Sequence, residues 1–136
     1  DPIGSHFFPA LIKKIIDAIK YRKDEIYIWG NGKPLRELIY SDDVADACIF
    51  FLKKKTSETL INIGTGKDKS ITEYANIIMK HLGVNFKINY KKEKPNGTMR
   101  KVLDVSLAKK YGWKYKTSLK KGLAITINDY LKRNLV

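Results

Sequence analysis

The apolar residues of this sequence recur with the period of a helix in some segments and with the period of a strand in others. Between residues 8 and 23, apolar side chains stand at positions 11, 12, 15, 16 and 19, the spacing of one helix face. Residues 25–29 instead read Glu-Ile-Tyr-Ile-Trp, an alternation typical of a strand. A chain that changes period in this way predicts a mixed α/β fold.

Turn and capping residues divide the rest of the chain into short elements. Asp42 has the position of a helix N-cap, and the inner face of that helix is predicted from Val44, Ala45, Cys48, Ile49 and Leu52. Ser70 and Glu73 form the capping-box pattern of a helix that stops at Gly83. Further strands are predicted over residues 35–40, 60–63 and 84–90, a polar loop over 91–99, and helices over 106–111 and 118–133.

The length of 136 residues fits one domain. We expect an α/β domain with a small mixed sheet and flanking helices. No apolar run reaches the roughly 18 residues that a bilayer span needs. The first residues lack the basic and apolar regions of a signal peptide, and the single cysteine, Cys48, excludes an internal disulfide. The expected location is the cytoplasm, and the absence of an initial Met predicts a piece of a longer protein.

Basic residues are concentrated in one segment. Residues 1–60 carry 10 basic and 9 acidic groups, whereas residues 87–121 carry 12 basic and 2 acidic groups. Such an excess attracts anions, whether phosphate groups, nucleic acid or an acidic surface. Solvated lysines on exposed faces explain the same numbers, so charge alone leaves both interpretations open.

No motif in the sequence forms a complete catalytic or metal site. His6 and His81 lie far apart, and no Cys/His cluster has metal-ligand spacing. The glycine pairs at 30–32 and 64–66 lack the G-x-G-x-x-G spacing of a dinucleotide site. The Tyr-x-x-x-Lys spacing occurs once, at Tyr90 and Lys94, where it joins the end of a predicted strand to the polar loop and does not lie on one helix face. We therefore expect no metal ion and no self-contained catalytic apparatus.

Two isolated residues have the chemistry of a binding or catalytic group. Arg36 lies in a short apolar strand after a tight turn, which suits a bidentate contact between its guanidinium and a diphosphate. A surface ion pair with Glu37 or an aspartate is the alternative. His6 precedes Pro9 and a helix start, where a proton donor would overhang a cleft. An incidental loop histidine, or the remnant of an expression tag, is the alternative.

Several longer segments together resemble a known family. Residues 29–45 contain Trp-Gly-Asn-Gly and Arg-Glu-Leu-Ile-Tyr-Ser-Asp-Asp-Val-Ala, and residues 61–66 followed by 70–73 read Ile-Asn-Ile-Gly-Thr-Gly and Ser-Ile-Thr-Glu. These are similar to the C-terminal half of the extended short-chain dehydrogenases/reductases that act on nucleotide sugars. Residues 5–14, residues 94–105, Gly112-Trp113 and the final helix resemble the GDP-L-fucose synthases among them.

The resemblance implies a reaction and a role for His6. Enzymes of this kind epimerise GDP-4-keto-6-deoxy-mannose at C3 and C5 and reduce C4 with NADPH. The position of His6 corresponds to the proton donor of the epimerisation and lies beside the bound NADP. Imidazole suits this role because it exchanges a proton near neutral pH.

The resemblance also implies a set of substrate-binding residues: Lys14, Trp29, Arg36, Asn96 and Lys101. Lys14 stands where many relatives have Arg, and Asn96 replaces a common Asp. For Trp29 the alternative is core packing at a strand end. For Lys14 and Lys101 the alternative is one more solvated lysine.

The resemblance covers only the second half of such enzymes. The NADP fingerprint, the catalytic Ser, the Tyr/Lys pair and the base belong to the N-terminal Rossmann half, so we expect this chain to be inactive alone and to expose apolar surface. A GDP-sugar and that Rossmann half are the expected partners, and a homodimer of the parent stays open. The alternatives are another nucleotide-sugar epimerase or 4,6-dehydratase and, more remotely, a basic nucleic-acid-binding module.

Overall fold

The computed structural model describes residues 6–134. In this range the chain forms five helices, α1 (Phe7–Lys20), α2 (Ser41–Lys53), α3 (Ile71–Leu82), α4 (Ser106–Lys110) and α5 (Leu119–Asn134). Its five strands are β1 (Glu25–Trp29), β2 (Leu35–Glu37), β3 (Asp68–Ser70), β4 (Lys87–Lys91) and β5 (Arg100–Lys101). The predicted α/β class is confirmed, although the strands are divided between two sheets.

The two sheets differ in size and strand order. Strands β1 and β4 pair in parallel, with Glu25 opposite Lys87 and Trp29 opposite Lys91. Strands β3, β2 and β5 form the second sheet in that order. Parallel pairing of β1 and β4 needs a long connection, and α2 and α3 lie within it.

The chain folds into two compact units. Unit 1 contains residues 1–35 and 69–100, and unit 2 contains residues 36–68 and 101–136. The chain passes from one unit to the other within each of the short strands β2, β3 and β5. The single substrate-binding domain expected from sequence stays a prediction, within which the structure distinguishes these two units.

Unit 1 is built around helix α1, which packs on α3 and on β1. Leu11, Ile12 and Ile15 form the buried face of α1, as the helical period predicts, whereas Ile19, predicted on the same face, is 40% exposed. Ser70 accepts a hydrogen bond from the Glu73 backbone amide, and the Glu73 carboxylate accepts one from the Ser70 amide. The predicted capping box and the stop at Gly83 are therefore confirmed.

Unit 2 has a smaller apolar core, supported by the hydrogen bonds of a buried aspartate. Ala47, Ala108 and Trp113 form its centre, and partly buried side chains pack against them: Ile39, Phe50, Phe51, Ile61, Ile63 and Tyr115. Leu123 and Ile127 on α5 are also buried. Asp43 on α2 is buried, and its carboxylate accepts bonds from the backbone amides of Lys116 and Thr117 and from the Thr117 hydroxyl.

The structure corrects the prediction for helix α2. Asp42 is not its N-cap, because the helix begins at Ser41 and Tyr40 is the capping residue, without a side-chain bond. The face predicted to be inner is mostly outward: Ala45 and Cys48 are exposed, as are Ile49 (55%) and Leu52 (86%). The bonds of Asp43 account for this, since they hold the helix with Asp43 and Ala47 inward.

The predicted strand at residues 60–63 is wrong. Within residues 6–134 no neighbouring strand hydrogen-bonds to this segment; Ile61 and Ile63 pack on the unit 2 core while Leu60 is 76% exposed. Other boundaries also differ. Helix α1 ends at Lys20, not at residue 23, β2 is three residues long, and residues 84–86 lie outside β4. The sequence did not predict β3 or β5.

None of the described helices has the length and apolar character to cross a membrane. Among residues 6–134, no three His, Cys, Asp or Glu side chains come together in a way that would hold a metal ion.

Candidate functional site

Two aromatic rings lie on the outer face of strand β1. The strand alternates, so that Ile26 and Ile28 are buried while Tyr27 (44%) and Trp29 (43%) are exposed. The core-packing alternative for Trp29 is therefore wrong. An exposed pair of large rings on one strand offers a flat apolar surface to a ligand.

Three lysines surround these rings. The Nζ atoms of Lys14 and Lys94 lie 5.6 and 5.5 Å from the Trp29 ring centroid. The Nζ atom of Lys91 lies 5.1 Å from the centroid of Tyr27. We call Lys14, Tyr27, Trp29, Lys91 and Lys94 the lysine–aromatic cluster. Each lysine is within cation–π range of a ring.

The described part of the chain provides no acidic partner for the lysines of the cluster. Across residues 6–134, no carboxylate lies within ion-pair distance of Lys14, Lys91 or Lys94. Lys14 is half-buried, and its burial and the positive charge of Lys91 lower its pKa below the usual value. Cations that repel one another beside aromatic rings favour an anionic ligand with a planar group, because it would relieve the repulsion.

The turn that follows Trp29 is held by Asn96. The Asn96 side-chain oxygen accepts a hydrogen bond of 2.7 Å from the backbone amide of Asn31. Gly30 has φ +71°, and a Cβ there would stand 2.0 Å from Asn96 Oδ1, so no side chain fits. The structure thus gives Asn96 a role in fixing the turn. Its contact with substrate stays a prediction.

The remaining predicted residues lie outside this cluster. His6 is the exposed N-cap residue of α1, Arg36 is half-buried on β2, and Lys101 is exposed on β5. Arg36 and Lys101 both belong to unit 2, on neighbouring strands of the three-stranded sheet. Their contacts with substrate, and the catalytic and cofactor contacts of His6, stay predictions.

Glu37 is a residue whose importance the sequence did not indicate. Its carboxylate accepts hydrogen bonds from the backbone amides of Thr65, Gly66 and Leu103. It therefore ties the glycine turn at 64–66 and the segment after β5 to the strand that carries Arg36. Three amides on one carboxylate make a rigid junction.

The sequence identified Lys14 and Trp29 but missed Tyr27, Lys91 and Lys94. The alternation of β1 puts Tyr27 on the face of Trp29, so this signal was available. Nothing local could place Lys91 and Lys94, because their position depends on the pairing of β1 with the distant strand β4.

Comparison with known proteins relates the chain to enzymes of nucleotide sugars. The model of the NAD dependent epimerase/dehydratase family matches residues 1–64. GDP-L-fucose synthase 1 of Arabidopsis thaliana is 39% identical over 131 residues, which are 96% of this chain and 41% of that protein. Over nearly its whole length the chain is similar to the C-terminal part of the GDP-L-fucose synthases. It spans about 40% of the length of these relatives.

Two solved structures extend this comparison. A GDP-mannoheptose C4 reductase of Campylobacter jejuni with NADP bound is 29% identical, with TM-score 0.75, covering 96% of this chain and 48% of that one. UDP-glucose 4-epimerase of Thermotoga maritima with UDP-glucose is 27% identical, with TM-score 0.81, covering 100% of this chain and 42% of that one.

Neither α2 nor α3 offers at its N-terminus the pyrophosphate cradle of NADP, the cofactor bound in the reductase structure. A cradle needs free amides at a helix N-terminus. The first turn of α2 carries Asp42 and Asp43, which would repel a phosphate, and the N-terminal amides of α3 are engaged by its own Ser70 and Glu73. We assign no step to the cofactor in this chain.

Proposed function

We propose that this chain binds the diphosphate and base of a nucleotide sugar, and that the enzyme of which it is the substrate-binding part is an NADP-dependent epimerase/reductase of GDP-sugars. The observation that carries the proposal is the lysine–aromatic cluster. Two exposed rings accompany three lysines that have no acidic partner among residues 6–134, a combination that fits a charged diphosphate joined to a flat base.

The reaction that we propose for that enzyme is the one that the sequence resemblance implies. In the proposed enzyme, GDP-4-keto-6-deoxy-mannose is epimerised at C3 and C5 and reduced at C4 with NADPH. His6 returns a proton during epimerisation, which its exposed position at the start of α1 permits. Arg36, Asn96 and Lys101 contact the substrate together with Lys14 and Trp29. Arg36 supplies the bidentate contact that Lys14 cannot.

The proposed enzyme also needs the part of its relatives that this chain does not cover. Unit 2 offers that part an apolar surface, the outer face of α2 (Ala45, Cys48, Ile49 and Leu52) together with Leu60. The chain matches less than half of each relative described above, and exposed apolar side chains of this kind are typical of an interface. We expect the chain alone to have no turnover.

A second candidate is another nucleotide-sugar epimerase or 4,6-dehydratase. The likeness to UDP-glucose 4-epimerase favours it, because the same fold serves a uridine nucleotide there. The two candidates differ in the base that the chain prefers.

Calorimetric titration of the chain with GDP, ADP and UDP at low and moderate salt tests the proposal. We expect GDP to bind, and the double variant Lys14→Ala/Lys94→Ala to weaken binding of every diphosphate by about tenfold or more. The control is Lys92→Ala, an exposed lysine beside the cluster whose loss should leave affinity within about twofold. Equal weakening in both variants, fading together with salt, would leave only a basic surface and refute the proposal.

A further inference from the structure

A cleft adjoins the lysine–aromatic cluster. It has a volume of about 400 Å³ and lies between the C-terminal half of α1 and strand β1, lined by Lys14, Asp17, Ala18, Lys23, Asp24, Glu25, Ile26 and Tyr27. Lys14 and Tyr27 belong to both the cleft and the cluster. A space of this size accommodates a nucleobase with its ribose.

One carboxylate of this cleft is held in a fixed orientation. Glu25 Oε1 accepts a hydrogen bond of 2.6 Å from the Tyr27 hydroxyl, and Oε2 accepts one of 2.5 Å from the Asn89 side-chain amide. Asn89 reaches it because the register places Asn89 opposite Tyr27. The bonds from Tyr27 and then Asn89 lower the pKa of Glu25, so the group is ionised at neutral pH.

The carboxylate keeps capacity for a ligand. Each of its oxygens uses one acceptor position within the protein and retains another. Glu25 and Tyr27 project from the same face of β1, so that a planar group stacked on the Tyr27 ring has its edge toward the carboxylate. Asp17 on α1 also lines the cleft, but its carboxylate already forms an ion pair with Lys13.

We propose, building on the proposed function, that Glu25 selects guanine, its two oxygens accepting hydrogen bonds from N1–H and the 2-amino group of a base stacked on Tyr27. Guanine presents two adjacent donors on this edge. Adenine presents an acceptor beside its amino group, and uracil presents one N–H between two carbonyls. A carboxylate repels these acceptors, so it discriminates against both bases.

The fold by itself does not settle the base. The same architecture holds UDP-glucose in the Thermotoga maritima epimerase, so the choice depends on side chains in the cleft. A negative charge beside an anionic ligand weakens binding of every nucleotide unless it makes directional bonds. Glu25 makes them only with guanine.

The experiment is a titration of four nucleoside diphosphates into the chain and its variants at one fixed low salt concentration. We expect the unaltered chain to bind GDP about tenfold or more tightly than ADP or UDP, with IDP, which lacks the 2-amino group, between them. Glu25→Gln should lose this preference by weakening GDP, while ADP and UDP stay equal or tighten. Asn89→Ala, which removes one bond orienting the carboxylate, should show a smaller loss of preference.

The control is Asp24→Asn, which removes one negative charge from the same cleft at the neighbouring position. It should keep the GDP preference. Three outcomes would each overturn the role of Glu25 while leaving the diphosphate site intact. The unaltered chain could bind all four nucleotides equally, the GDP preference could survive Glu25→Gln, or Asp24→Asn could lose the preference to the same extent. Absence of binding by every nucleotide would instead overturn the proposed function, and this inference with it. Thermal melting confirms that the variants remain folded.

Discussion

The two units of this chain differ in the kind of side chain that they leave available for a ligand or a partner: lysines in unit 1 and apolar side chains in unit 2. Unit 1 buries one apolar face of α1 and of α3 and leaves three lysines, Lys14, Lys91 and Lys94, without acidic partners among the described residues. Unit 2 provides Glu37, Asp43 and Asp46 with several donors each but leaves apolar side chains of α2 exposed. Unit 1 therefore offers a surface that suits an anion, and unit 2 offers a surface that suits an apolar partner.

This contrast separates the two roles that we propose. An anion-binding surface keeps its cations unpaired, because an internal carboxylate would compete with the ligand. A docking surface needs exposed apolar side chains on an element whose orientation is fixed. In unit 2 this element is α2: its inner face is anchored by the hydrogen bonds from residues 116 and 117 to Asp43, and its outer face is apolar.

The largest effect is expected in unit 2, from Asp43→Ala. The change leaves two part-buried amides and a hydroxyl without their acceptor and should lower the free energy of unfolding by about 3 kcal/mol. Chemical denaturation measures the loss, and hydrogen exchange should show it first at Lys116 and Thr117. Asp42→Ala, at the exposed neighbouring position, should cost less than about 0.5 kcal/mol. Equal loss of protection in α3 would break the distinction between the units.

The next effect is expected in unit 1, from Trp29→Ala. It removes the ring shared by Lys14 and Lys94 and should weaken GDP binding by about tenfold with little change in stability, because the ring is exposed. Calorimetry checks the affinity. Tyr21 is a matched control, since Lys20 and Lys23 also lie over its ring but outside the cluster. If Tyr21→Ala weakened GDP binding as much as Trp29→Ala, any ring beside lysines would support binding and the cluster would have no specific role.

A smaller effect should follow pH through Lys14. Its pKa is lowered, by burial and then by Lys91, so it loses its charge at a lower pH than a free lysine. Nucleotide affinity should fall severalfold as pH rises through that pKa. Stability should instead rise over the same window, up to the usual lysine pKa, because there the unfolded chain binds more protons than the folded one.

Lys14→Arg isolates this effect, because an arginine keeps its charge at every pH used. Affinity and melting temperature are measured against pH for both proteins, and the difference between their profiles reports the titration of Lys14. Identical profiles would show that Lys14 does not titrate in this range or does not contact the ligand.

The smallest effect is expected from Asp46→Asn in unit 2. Hydrogen bonds from Lys116 and then Trp113 lower the pKa of Asp46. Its contribution to stability is therefore present at neutral pH and is lost as pH falls through the lowered pKa. Melting curves at several pH values should show the variant slightly less stable at neutral pH and equal to the parent in acid. A gap that persists in acid would mean that packing, not charge, is lost. Asp129→Asn, which removes only an exposed pair with Arg133, is the control.

Local signals predicted the elements whose stabilising groups are near in sequence. The capping box of Ser70 and Glu73, the stop at Gly83 and the alternation of β1 all depend on residues within a few positions of one another. Each was confirmed. The resemblance of longer motifs similarly identified the relatives, because it uses the identity of residues rather than their contacts.

Long-range contacts decided the features that sequence reasoning missed. Helix α2 is apolar on two faces, so its periodicity could not show which one is inward; the bonds from Asp43 to residues 116 and 117 did. Residues 60–63 have the composition of a strand, but a strand also needs a neighbour to hydrogen-bond with. Neither the inward face of α2 nor a missing strand partner can be inferred from a few neighbouring residues.

The sequence by itself thus determined the α/β class, most helices, the relatives, and Lys14 and Trp29 as candidate ligand contacts. Only the tertiary structure brought Lys91 and Lys94 to the same rings, oriented Glu25 through Asn89, and turned the apolar face of α2 outward. The physical reason is that periods and caps act over one or two helical turns, whereas a binding surface is made by strands paired across some 60 residues of chain.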